Sequence, residues 1–174
     1  MNDQKDLILL ATDFLGTTCD FDICSANSII QRKNIIEEKF NVKFIWILVS
    51  GSATLFLPTY RDFLDIVSDG KDSNFLESTP SCVFSKDTFM EDTIHNYESK
   101  YNICAVLYAG NDTNDIPAFE YLKTLSCNSL PNLGIAPKNA NSRVKLLADY
   151  VSNENNIYGV IDGLDYFIEF ASKN

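Results

Sequence analysis

Continuous apolar runs alternate along this chain with segments in which apolar residues recur at helical spacing. The runs at 7–12, 44–49, 102–109 and 133–136 predict buried strands, and 82–84 and 150–151 predict short ones. Helical spacing predicts helices over 25–39, 53–67, 86–100, 116–124, 142–150 and 159–171. Continuous apolar strands separated by amphipathic helices are typical of a parallel sheet buried on both faces. We therefore predict a three-layer, doubly wound α/β fold with helices on both faces of the sheet.

Composition narrows the class of protein. With 174 residues and 45% hydrophobic content, the chain is long enough for one domain spanning 1–174. No apolar run approaches the roughly 20 residues of a membrane span, and the N-terminus lacks the pattern of a signal peptide, so we expect a cytoplasmic protein without a membrane partner. The five cysteines lack paired metal spacing and are expected to be reduced core thiols. A net charge of −10 argues against a nucleic-acid partner and favours a site that collects a cation.

Polar side chains follow two of the predicted strands. Asp13 ends the first run, and the segment from Gly110 to Asp115 holds four Asn or Asp residues directly after the third. The carboxyl ends of parallel strands meet at one edge of a sheet, so these side chains could share one ion. Oxygen ligands are those that a hard cation such as Mg²⁺ requires.

Two further positions extend this set of polar groups. Ser50 and Gly51 follow the second strand, and Lys86 begins a helix. Phosphoryl transfer depends mostly on positioning and charge neutralisation. It is suited by the groups found here, which are a carboxylate, a hydroxyl with free amides, a cation and acidic metal ligands. Taken singly, each has a more ordinary interpretation: a helix cap, a turn or a solvated side chain. Their order along the chain is what indicates chemistry.

That order resembles the four motifs of the haloacid dehalogenase superfamily of aspartyl-nucleophile hydrolases, with a Rossmann-like core. The first motif is similar to Asp13-Phe-Leu-Gly-Thr17, and the fourth to Gly110-Asn-Asp-Thr-Asn-Asp115. Ser50-Gly51 and Lys86 stand where the second and third motifs would lie. The tail, from Gly134 through the final helix, resembles the end of sugar-phosphate phosphatases of the Cof type.

The resemblance implies a Mg²⁺-dependent phosphohydrolase in which Asp13 forms an aspartyl-phosphate. Lys86 would neutralise both the nucleophile and the phosphate. The implied phosphate-binding residues are Ser50, Gly51, Lys86 and Asn114. The implied metal ligands are Asp13, Leu15 through its backbone carbonyl, Asn111 and Asp115.

Two residues depart from the family pattern. Leu15 stands where phosphatases of the superfamily carry a second Asp that protonates the leaving group and then activates water, and a leucine cannot move a proton. Such assistance is worth about 10² to 10⁴ in rate, so turnover is expected to be slow unless another group, such as Asp20 or Asp22, substitutes. Asn111 stands in place of a metal-binding Asp, and the loss of that negative charge should weaken binding of the ion.

The spacing of the motifs leaves no room for a cap domain. Only 33 residues separate Ser52 from Lys86, whereas relatives of the Cof type place a whole cap domain there. We therefore expect an open site that accepts a phosphorylated small molecule or macromolecule, unless a homo-oligomer covers it.

Three alternatives to a phosphatase remain at this stage. The first is a catalytically inactive descendant of the superfamily that acts as a binding or regulatory protein. The second is a receiver-type phosphoacceptor domain, although its acidic pair lies early in the chain and its acceptor on a middle strand. A dehalogenase is the third, and it fits poorly with a fourth-motif loop so suited to Mg²⁺.

Overall fold

Five parallel strands form one sheet in the computed structural model, which describes residues 4–13, 16–18, 23–49, 85–125 and 130–173. The strands are β1 (Asp6–Thr12), β2 (Lys43–Leu48), β3 (Asn102–Ala109), β4 (Leu133–Ala136) and β5 (Tyr150–Val151). The helices are α1 (Ile23–Phe40), α2 (Lys86–Glu98), α3 (Ile116–Leu122), α4 (Ser142–Leu147) and α5 (Asn156–Ala171), with a 3-10 turn at Thr113–Asp115. The strand order is β2-β1-β3-β4-β5.

Helices cover both faces of the sheet because successive side chains of each strand point to opposite sides. Ile8 and Leu10 of β1 join an apolar cluster with residues of α1 and α5. Leu7 and Leu9 join a second cluster with residues of α2, α3 and α4. The strands therefore separate two helical layers, and the predicted three-layer α/β fold is confirmed.

Two predicted helix boundaries differ from the structure by three residues, and the other boundaries of the described helices agree to within two. The helix predicted over 142–150 ends at Leu147, because Asp149 turns back to β4: its amide donates to the carbonyl of Gly134 and its carboxylate accepts from the Gly134 amide. The last helix begins at Asn156, three residues before the predicted start. Gly159 lies inside it, where an added Cβ would come within 2.7 Å of the Glu154 carbonyl oxygen.

Several predictions fall outside the described residues. They concern the helix over 53–67, the strand at 82–84 and the missing cap domain, so each of these stays a prediction. Among the cysteines, the described thiol is that of Cys104, which is buried and donates to the Leu7 carbonyl. In the described ranges, no helix is both long enough and apolar enough to cross a membrane.

Backbone hydrogen bonds join the carboxyl ends of the strands into one edge. The amide of Asp13 donates to the carbonyl of Ala109 at 2.9 Å, and the amide of Gly110 donates to that of Ile135 at 3.3 Å. The residue after β1 therefore lies beside the loop after β3, as the parallel topology requires.

Candidate functional site

The ammonium of Lys86 lies between two carboxylates at this edge. Its Nζ is 2.6 Å from Oδ1 of Asp13 and 2.5 Å from Oδ1 of Asp115. The exposed fractions of the three side chains are 11% for Lys86, 7% for Asp13 and 0% for Asp115. Water screens charges poorly at such depth, so the attraction between these opposite charges is stronger than in a surface pair. One cation is thus shared by two acids that are about a hundred residues apart in sequence.

The carboxylate of Asp115 accepts hydrogen bonds from four donors. Oδ1 accepts from the Tyr108 hydroxyl at 2.7 Å and from Lys86. Oδ2 accepts from the amides of Asn111 at 2.8 Å and Asp112 at 2.9 Å. An ionised carboxylate offers about four acceptor positions, and all of them are used here. Asp115 is therefore held in one orientation, with its charge directed at Lys86.

The local sequence explains this arrangement. Asp112 and Asp115 form a capping box around the 3-10 turn, in which each side chain accepts from the other end of the turn. Gly110 is needed beneath it, because an added Cβ would come within 2.5 Å of Cγ of Asp115.

Burial and charge keep the Tyr108 hydroxyl protonated. Its pKa is raised well above the ordinary tyrosine value, first by burial and then by the negative charges of Asp115 and Asp13. Tyr108 is consequently a donor to Asp115 at every pH at which the protein is expected to work.

The backbone of Asp13 is fixed by its neighbours. The hydroxyl of Thr18 donates to the Asp13 carbonyl at 2.8 Å. On the other side, the indole N–H of Trp46 donates to the hydroxyl of Thr12 at 2.8 Å, and the Thr12 carbonyl accepts from the amide of Val49. Hydrogen bonds from β2, from Val49 just after it and from the loop after β1 therefore hold the end of β1 in place.

The loops after β1, β3 and β4 contact one another around Asn111. Gly16 has a φ of +76°, and an added Cβ would come within 2.3 Å of Nδ2 in the Asn111 side chain. The hydroxyl of Thr17 donates to Oδ1 of Asn111 at 3.0 Å. The Asn139 side chain donates to the Gly16 carbonyl, and the Asn141 amide donates to the Asn111 carbonyl, both at 2.7 Å. These bonds place the Asn111 side chain against the loop after Asp13.

Comparison with known proteins identifies the family. A family model described as haloacid dehalogenase-like hydrolase matches residues 73–164, just over half of the chain. The chain belongs to this family. The predicted membership of the haloacid dehalogenase superfamily is thereby confirmed. No curated protein sequence matches the chain significantly.

Solved structures share the fold of this haloacid dehalogenase-like hydrolase. The cobalt-bound deoxy-D-mannose-octulosonate 8-phosphate phosphatase from Haemophilus influenzae superposes with a TM-score of 0.60 at 19% identity, over 95% of this chain and 86% of that one. The 3-deoxy-D-manno-octulosonate 8-phosphate phosphatase from Yersinia pestis gives a TM-score of 0.61 at 16% identity, over 95% and 82%. Identities this low establish the common fold alone.

The structure places the predicted site residues of this chain in three groups. Lys86 contacts both Asp13 and Asp115, and the backbone N–H of Asn111 donates a hydrogen bond to Asp115. Asn114 is exposed on the 3-10 turn. Outside the described residues lie Leu15, Ser50 and Gly51.

Sequence reasoning missed Tyr108, Thr17 and Asn139. Each contacts a predicted site residue or its loop through a side-chain hydrogen bond. A tyrosine in the buried part of a mostly apolar strand was the one available signal, since a buried hydroxyl needs a partner. Thr17 lies within the first motif but has no predicted role of its own, and nothing in the sequence distinguishes Asn139 from ordinary loop residues.

The donor set fits a hard cation through Asp13 and Asn111. Asp13 offers a carboxylate, and Asn111 offers a side-chain amide oxygen. Asp115 has all of its acceptor positions engaged and is fully buried. No cluster of three His, Cys, Asp or Glu side chains suited to a metal occurs within the described part of the chain. Mg²⁺ keeps several waters and needs only one or two carboxylates, so this set remains suitable for it.

Proposed function

We propose that this chain is a Mg²⁺-dependent phosphohydrolase that acts on phosphate monoesters through an aspartyl-phosphate on Asp13. The observation that carries the proposal is the Lys86 ammonium held within 2.6 Å of Asp13 and 2.5 Å of Asp115 at the carboxyl edge of the sheet. Phosphoryl transfer needs a positioned nucleophile and neutralised charge more than it needs covalent assistance. Two structural neighbours are named as phosphatases of a sugar phosphate, which supports a phosphate ester as the substrate.

The residues divide the reaction between them. A carboxylate oxygen of Asp13 bonds to phosphorus as the bond from phosphorus to the ester oxygen breaks, and the alcohol leaves with a proton taken from solvent. Water then attacks phosphorus and gives a proton to solvent as the bond to Asp13 breaks, which releases inorganic phosphate and restores the carboxylate. Lys86 neutralises the charge that gathers as the phosphate approaches Asp13. Asp115 holds Lys86 in place. Mg²⁺ bound by Asp13, Asn111 and the carbonyl of Leu15 would neutralise phosphate oxygens.

Hydrolysis of an aryl phosphate in the presence of Mg²⁺ tests the proposal. Slow, Mg²⁺-dependent turnover is expected, because Leu15 cannot supply the proton transfers worth about 10² to 10⁴ in rate. The same Leu15 favours the second candidate, a non-catalytic binding protein. Absence of both turnover and a phosphorylated Asp13 would contradict the enzyme and favour that candidate.

Restoring the acid and base is expected to raise the rate. In Leu15→Asp, hydrolysis of alkyl phosphates should increase by roughly 10²-fold or more, because their leaving oxygen depends on protonation. Aryl phosphates with good leaving groups should gain less in the first step. Leu15→Asn is the matched control, since it is similar in size and polarity but cannot transfer a proton. Equal rates in the two variants would show that residue 15 is not placed to move a proton.

A carboxylate in place of the Asn111 amide is expected to raise the affinity for Mg²⁺. Asn111→Asp adds a negative charge beside Asp13, so titration calorimetry should report roughly tenfold tighter Mg²⁺ binding. Asn114→Asp is the control, because it adds the same charge three residues further on at an exposed position. If Asn114→Asp tightens Mg²⁺ as much, or if Asn111→Asp leaves the affinity unchanged, Asn111 does not face the ion.

A further inference from the structure

Tyr108 carries a hydroxyl into the apolar core beneath the site. Its side chain is fully buried, and its ring meets that of Phe119 edge to face with the centroids 5.2 Å apart. A hydroxyl removed from water costs free energy unless it finds a hydrogen-bond partner. That partner is Oδ1 of Asp115 at 2.7 Å, so Tyr108 connects the core to the carboxylate that holds Lys86.

Tyr108 and Lys86 share one oxygen atom. Oδ1 of Asp115 accepts from both, at 2.7 Å and 2.5 Å, while Oδ2 is occupied by two backbone amides. The amides fix the plane of the carboxylate, and the Tyr108 hydroxyl takes one of the two acceptor positions on Oδ1. Lys86 is left with a single direction of approach. The same ammonium is 2.6 Å from Oδ1 of Asp13, so a shift of Lys86 towards Asp115 weakens its contact with Asp13.

We propose that Tyr108 is a positioning residue that sets the position of the Lys86 ammonium between the carboxylates of Asp115 and Asp13. The inference rests on the proposed function, because the consequence falls on the nucleophile. Without the Tyr108 hydroxyl, Lys86 is the one of these four donors that still bonds to Oδ1 of Asp115. The ammonium is then drawn towards that oxygen. Asp13 is then less well oriented, and the charge that gathers beside it is less well neutralised. Tyr108 acts through Asp115 and touches neither the phosphate nor the nucleophile.

A spectroscopic test reads the position of Lys86 without requiring activity. In protein labelled with nitrogen-15 lysine, the Nζ resonance of Lys86 is assigned by its loss in Lys86→Arg. Tyr108→Phe removes one oxygen atom and keeps the ring, and it is expected to shift this resonance. Tyr97→Phe is the control, because it removes a hydroxyl from a buried tyrosine of the same apolar cluster, three turns after Lys86 on α2. An unchanged resonance in Tyr108→Phe, or an equal shift in both variants, would overturn the inference.

Kinetics supply the second measurement. With an aryl phosphate and Mg²⁺, Tyr108→Phe is expected to lower kcat roughly tenfold, the effect of one hydrogen bond to a charged group, and to leave KM within about twofold. Tyr97→Phe should change neither. A raised KM with unchanged kcat would overturn the positioning role. If the natural protein shows no turnover at all, the proposed function fails, whereas the Lys86 resonance still decides the inference about Tyr108.

Discussion

Asp13→Asn is expected to abolish phosphate-ester hydrolysis while the protein stays folded. An amide cannot attack phosphorus under these conditions, and removal of a nucleophile costs about 10⁴-fold or more in kcat. Stability should change little, because Lys86 keeps its ion pair with Asp115 and can still donate to the Asn side chain. Aryl phosphate turnover and denaturant unfolding, measured on the same preparation, separate the two effects.

Asp92→Asn is the matched control for this experiment. Asp92 is exposed on α2, the helix that begins with Lys86. The substitution therefore makes the same chemical change, from a carboxylate to an amide, at a position away from the site. Its turnover should equal that of the natural protein. Residual activity in Asp13→Asn at the level of Asp92→Asn would mean that another group is the nucleophile.

Lys86→Met is expected to have the largest effect on stability. The substitution leaves two carboxylates, 7% and 0% exposed, close together without their shared cation. Removal of one partner of a buried ion pair typically costs about 3–5 kcal/mol in the free energy of unfolding. Urea denaturation monitored by the fluorescence of Trp46, the single tryptophan of the chain, provides the measurement.

Two further variants make the result specific to the site. Lys100→Met removes an exposed lysine two residues after the end of α2 and should cost less than about 0.5 kcal/mol. In an Asp13→Asn background, Lys86→Met should cost less than in the natural protein, because one of the two buried charges is already gone. Equal costs in the two backgrounds would show that Asp13 and Lys86 do not interact.

Much of the fold follows from hydrophobic periodicity. The bounds of β3, β4 and β5 agree with the predicted runs, because continuous apolar strands between turn residues are distinctive. The end of α4 could not be predicted, since Leu147 and Ala148 continue a helical pattern. The chain leaves the helix there only because Asp149 pairs with Gly134 on β4, which is a long-range contact.

The candidate site was predictable to a lesser extent. A parallel sheet brings together residues that follow neighbouring strands, so the proximity of Asp13 and Asp115 follows from topology. What each side chain does there depends on directions that a sequence does not contain. The pattern does not reveal that the hydroxyl of Tyr108 points at Asp115, or that Asp115 accepts from Lys86 and three other donors.

The intact mass of the protein after incubation with acetyl phosphate and Mg²⁺ tests the role of Asp13 most directly. The natural protein is expected to gain one phosphoryl group, which fragmentation should locate on Asp13. The adduct should persist because Leu15 cannot activate water for its hydrolysis. Asp13→Asn should gain none, and Leu15→Asp should lose the adduct quickly. An unmodified natural protein, or a phosphoryl group on another residue, would contradict an aspartyl-phosphate at Asp13.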